Sequence, residues 1–176
     1  MSHIKEGKPF HNVRRKRFGV FSVALIILLL ISVFLGCSWA SETVLRISDW
    51  KTGEVYIEVP AKAGDNLFFG WVHSLEKIPW NEHYHIATDN ILVLDTISFP
   101  AFGAGIPENK GKTCRIENGL IYMDEIGQEF DEFVWINSHF AVRDIKLNET
   151  LITSGEQLPE HTRLRLVIER RFFSGK

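Results

Sequence analysis

Cysteine is almost absent from this sequence. Only Cys37 and Cys114 occur, and no CxxC pair is formed, which excludes a disulfide framework and the common structural zinc sites. The nucleophile elbow G-x-S-x-G, the zincin H-E-x-x-H, the phosphate-binding P-loop and the dinucleotide G-x-G-x-x-G are missing too, so no catalytic motif with a known mechanism is present. Outside one N-terminal hydrophobic run, no window sustains helical spacing over several turns, which argues against a helical bundle. Internal repeats, low-complexity tracts and long linkers are also lacking. The chain after residue 40, about 135 residues, is long enough to bury one core without metal or disulfide support.

What is present begins with a membrane-targeting pattern. Phe18 to Leu35 is free of charged residues and follows Arg14-Arg15-Lys16-Arg17 directly. As a helix it would extend about 27 Å, close to the hydrocarbon thickness of a bilayer. The basic cluster predicts a cytoplasmic N-terminus and places the rest outside the cytoplasmic membrane. Three fates are open: a retained single-pass anchor, cleavage after Ser38-Trp39-Ala40 with secretion, or lipidation at Cys37 in Phe34-Leu35-Gly36-Cys37, which resembles a lipobox. Residues 1–40 are therefore read as a basic region plus anchor or signal segment, and 41–176 as one extracytoplasmic domain. Six of the 20 basic residues but one of the 22 acidic residues precede the hydrophobic run, so that domain is acidic and unsuited to nucleic acid.

Along the domain, short β-rich runs alternate with turn residues. Val44–Ile47 and Val55–Val59 flank a turn ending in Gly53; Leu67–Leu75 and Trp80–Ala87 flank Glu76–Pro79; Ile91–Phe99 follows Thr88-Asp89-Asn90. Thr113–Glu117 and Leu120–Met123 flank Asn118-Gly119, the strongest short hairpin signal in the chain. Further strands are expected at 132–137, 140–147 and 162–170. The fold class expected is all-β, a single antiparallel sandwich or barrel-like domain after one N-terminal transmembrane or signal helix.

The central hairpin carries the densest chemistry. With Glu76–Pro79 as its loop, Leu75 would pair with Trp80, Trp71 with Tyr84, and His73 would face Glu82 on an otherwise apolar surface. Such a pair either fixes the strand register or serves a ligand, a metal or proton transfer. His73 does not activate its neighbour Ser74, because adjacent strand residues point to opposite faces. His83 and His85 share the other face and are the candidate metal ligands, although a third ligand would have to come from the fold. Cys114 is expected as a half-buried strand residue. Phe102-Gly103-Ala104-Gly105-Ile106-Pro107 is a tight glycine loop able to present backbone N–H groups to an anion or a partner.

Two ordered blocks resemble a known family. Trp71-Val72-His73-Ser74 through Pro79 to Glu82 is similar to the His-Ser, Pro, Glu pattern of the family called domain of unknown function 1850. Phe99 to Pro107 is similar to its phenylalanine, Gly-Ala-Gly and Pro block. Ser138-His139 and Thr162–Leu166 are similar to its C-terminal blocks. The resemblance implies an extracytoplasmic accessory protein associated with TAXI-type TRAP transporters, which pair a permease with a periplasmic solute-binding protein. It carries over no catalytic role, and with the catalytic motifs missing neither an enzymatic activity nor a cofactor is expected. The residues singled out for ligand or partner binding are His73, Ser74, Pro79, Glu82, Phe102, Gly103, Ala104, Gly105, Pro107 and His139. A small-ligand or metal-binding module built on His73 and Glu82 is the alternative.

Overall fold

Runs of alternating apolar and polar residues become strands at almost every place where turn residues bracket them. The computed structural model describes residues 41–103 and 110–172. The expected membrane run Phe18–Leu35, the lipidation candidate Cys37 and the boundary at residue 40 lie outside the described residues, as do Ala104, Gly105, Ile106 and Pro107. No helix among the described residues is long and apolar enough to cross a membrane.

In chain order the strands are β1 (Ser41–Asp49), β2 (Val55–Pro60), β3 (Asn66–Val72), β4 (Pro79–Ile86), β5 (Leu92–Phe99), β6 (Thr113–Glu117), β7 (Leu120–Asp124), β8 (Gln128–Phe130), β9 (Phe133–Ile136), β10 (Val142–Leu147), β11 (Thr150–Ser154) and β12 (Arg163–Phe172). A single 3-10 turn, Gly155–Gln157, separates β11 from β12. All pairings are antiparallel, in a four-stranded sheet of order β2-β1-β12-β9 and a larger sheet of order β11-β10-β3-β4-β5-β7-β6, with β8 also paired to β5. The expected all-β sandwich is what forms.

One core joins the two sheets. Leu45, Ile47, Leu164 and Leu166 of the four-stranded sheet and Ile97, Phe99, Met123 and Ile145 of the larger one are completely buried. Each such side chain contributes about 1.5–3 kcal/mol by leaving water. The hairpin between β6 and β7 turns on Asn118 and Gly119 at φ 50° and 79°, as a type I′ turn demands. Cys114 corrects an expectation, since it is exposed. Its strand β6 is the sheet edge, every residue of it is exposed, and pairing with β7 alone covers neither face.

The chain enters β1 at Ser41, which pairs with Phe172, while the far end of the strand pairs Asp49 with Leu164. Arg163 next pairs with Ile136 of β9. Entry to the domain and the end of β9 therefore lie at opposite ends of the four-stranded sheet, about 26 Å apart along β1 at the usual rise per residue.

Candidate functional site

The β3–β4 hairpin closes earlier than its sequence suggests. Trp71 lies opposite Trp80, Phe69 opposite Glu82 and Leu67 opposite Tyr84. The His73 N–H donates to the Ile78 carbonyl at 2.9 Å, and the Lys77 N–H donates back to the His73 carbonyl at 2.9 Å. Ser74 to Lys77 thus form the loop, with Lys77 in the left-handed region at φ 57°. Pro79 opens strand β4, where its missing N–H costs little. The displacement is an even number of residues, so the face assignments survive although the partners change.

The expected facing of His73 and Glu82 is therefore corrected. Glu82 accepts from the Trp80 indole N–H at 3.0 Å and from the Tyr84 hydroxyl at 2.6 Å. Burial, followed by the Glu82 charge, pushes the Tyr84 hydroxyl far above the ordinary tyrosine range, which keeps it a donor. His73 is buried. Its ring lies 5.6 Å from Trp80 and 6.2 Å from Trp71, and Nδ1 accepts the Glu76 N–H at 3.4 Å.

An aromatic chain continues from this hairpin into the second block. Trp80 stacks on Phe99 at 5.2 Å, and Phe99 meets Phe102 edge-on at 5.6 Å. Gly103 lies against the loop itself, because a Cβ there would stand 2.5 Å from Cδ of Glu76. His73, Ser74, Phe102 and Gly103 are thus brought to one end of the larger sheet. The turn 137–141 joins them. Ala141 accepts the Val72 N–H at 2.7 Å, and the Lys77 ammonium sits 5.9 Å from the Phe140 ring. Asn137 hangs that turn from the 3-10 region by donating to the carbonyls of Gly155, Leu158 and Pro159 at 2.9, 3.1 and 3.1 Å. His139 contacts the segment after the 3-10 turn, with Nε2 at 3.0 Å from the Leu158 carbonyl and 3.5 Å from Glu160.

Between the two sheets at this end opens a cleft of about 350 Å³, walled by Phe69 and Trp71 of β3, Glu82 of β4, and Phe133 and Trp135 of β9, with Ser74 at its margin. Phe69 contacts Phe133 and Trp135 at 4.9 and 5.3 Å. The indole N–H groups of Trp71 and Trp135 are buried and have no partner among the described residues. Phe133, Trp135 and Asn137 were not among the expected site residues. Alternation across Phe133–Ile136 puts the two rings on one face, but no local pattern says which strands that face meets.

His83 and His85 do not join this end. His83 packs edge-on against Phe68 at 5.2 Å. Burial holds its pKa below the ordinary histidine range, against the opposing pull of Glu149 and Asp124. His85 pairs with Asp95 at 2.7 Å; a register shift in the β4–β5 pairing leaves Asp95 without a residue opposite it, as a bulge does. Among the described residues no group of three or more His, Cys, Asp or Glu is arranged to hold a metal ion.

The fold and this end together define a class: an antiparallel β-sandwich whose two distinctive sequence blocks meet beside an aromatic cleft at one end. The family described as Domain of unknown function (DUF1850) matches residues 68–157, which contain the hairpin, the Phe102-Gly103 segment and the Asn137 turn. The chain belongs to that family. No curated protein matches it, and no solved structure matches it.

Proposed function

We propose that this chain is a membrane-tethered extracytoplasmic accessory protein, not an enzyme, and that the hairpin end of its sandwich docks on a component of a TAXI-type TRAP transporter. One observation carries the docking surface. Leu75, Phe102, Ile136 and Phe140 are large apolar side chains, each more than half exposed, and all belong to the segments that meet at this end. Exposed apolar residues grouped in this way mark interaction surfaces, whereas isolated ones do not. The hydrophobic run Phe18–Leu35 and the preceding basic cluster support the tether, which would raise the local concentration of the domain beside a permease. The transporter as partner rests on the family resemblance.

The test is photocrosslinking from position 75 in intact cells, followed by identification of what is captured. Recovery of the permease or its solute-binding protein, lost with Leu75→Asp and Phe140→Asp, is the expected result. Both side chains are exposed, so these variants should stay folded. Crosslinks that contain no transporter component would end this reading.

A second reading, a small-ligand-binding module, is favoured by the cleft itself. Its volume lies at the lower end of the range for small-molecule sites, and its walls are mostly apolar with a single carboxylate.

A further inference from the structure

The state of Glu82 narrows what the cleft can take. Its carboxylate is held by two neutral donors, the Trp80 N–H and the Tyr84 O–H. Neutral donors orient a carboxylate without cancelling its charge. Among the described residues no Lys, Arg or His forms an ion pair with Glu82, whereas Glu58, Glu117, Asp95 and Asp124 each have such a partner. A partly buried negative charge without a counter-ion is costly unless a ligand supplies one.

The walls favour the same sign of ligand. Phe69, Phe133 and Trp135 are in mutual ring contact at 4.9 to 5.7 Å, and Trp71 completes the lining. Aromatic rings around a cation stabilise it through their quadrupoles, tryptophan most strongly. An organic ammonium group would satisfy both the carboxylate and the rings.

We infer that the cleft between β3, β4 and β9 binds a small organic ammonium solute, with its cationic head near Glu82 among the aromatic rings. This rests on the ligand-binding reading above and adds the charge and class of the ligand. A lipid headgroup offers the same chemistry. Free solute and headgroup are told apart by titration of choline against binding to phosphatidylcholine vesicles.

The experiment is calorimetric titration of the full-length protein in detergent with choline, with glycine betaine, and with 3,3-dimethylbutan-1-ol, the uncharged isostere of choline. Choline or betaine should bind at least about tenfold more tightly than the isostere. Glu82→Gln should remove that preference while leaving the isostere unchanged, and Trp135→Leu should weaken both. Far-UV circular dichroism of each variant separates lost binding from lost fold. Isostere and choline binding equally well would overturn the ammonium inference and leave a ligand-binding module standing. No heat from any of them up to about 10 mM would remove both. Stronger retention on phosphatidylcholine than on phosphatidylglycerol vesicles, lost in Glu82→Gln and without binding of free choline, would overturn the solute form in favour of a headgroup.

Discussion

Replacing Asn137 with alanine should unfold the recognition end before it touches the rest of the core. The side chain is fully buried, and its amide faces three carbonyls. Two of these have another donor: Gly155 receives the Leu158 N–H, and Leu158 receives His139 Nε2. Only the Pro159 carbonyl would be left without a partner among the described residues, at about 1–3 kcal/mol. Loss of the other two contacts adds roughly 0.5–1.5 kcal/mol each. Against this, the variant also removes Oδ1, which is buried without a donor. The net loss should be about 3 kcal/mol, or near 10 °C in Tm for a domain of this size. Urea unfolding followed by tryptophan fluorescence, with calorimetry for Tm, measures it. Asn137→Asp should be at least as damaging at neutral pH, because a carboxylate cannot donate, and should recover in part when acid restores an O–H. A loss under about 0.5 kcal/mol in the alanine variant would mean that the carbonyls find other donors, and that the turn is not hung from this residue.

Titration and packing at other positions make further outcomes measurable. Tyr84, whose folded pKa is raised, gives stability that is complete below the ordinary tyrosine pKa of about 10 and declines as pH rises beyond it. Tyr84→Phe should flatten that alkaline decline and cost about 1.5–3 kcal/mol at neutral pH through loss of the bond to Glu82. His83 has a lowered folded pKa, so its contribution is complete above about pH 6.5 and is lost as pH falls; His83→Gln should make the unfolding midpoint less sensitive between pH 7 and pH 5. Gly155→Ala would place a Cβ 2.5 Å from the Val142 carbonyl and 2.9 Å from that of Ser138. Rigid backbone cannot yield there, so a loss of about 1–3 kcal/mol is expected in chemical denaturation. Gly103→Ala meets the flexible end of Glu76 instead, and should cost less than Gly155→Ala in the same assay.

The sequence made strands and faces readable where local chemistry decides them. Asn118-Gly119 allows little but the turn it forms, and period-two alternation placed Phe69, Trp80, Tyr84 and Ile86 on the buried face before any partner was known. Register was harder, since the loop at Ser74–Lys77 and the alternative at Glu76–Pro79 leave the same residues inside. The stack of Trp80 on Phe99 favours the earlier closure, and it depends on β5, which the hairpin alone does not contain. Strands β8 and β11 went unread because Gln128–Phe130 is very short and Thr150–Ser154 lies among turn residues. His73, Ser74, Phe102 and Gly103 were legible as candidates and do converge. The cleft was not, because Phe133 and Trp135 reach it from the opposite sheet, some sixty residues from Trp71.

The ring contacts that join the hairpin to the core also make this end spectroscopically visible. Of the five tryptophans, Trp71 and Trp135 wall the cleft, and Trp80 lies 5.8 Å from Trp71. Trp50 is exposed in the turn after β1 and supplies a solvent-relaxed background. Indoles as close as Trp71 and Trp80 couple their transitions, so the near-ultraviolet dichroism of the protein should carry a signal from the hairpin end itself. Occupation of the cleft or displacement of the hairpin can then be followed without a label, on the same sample whose far-ultraviolet spectrum reports the sheets.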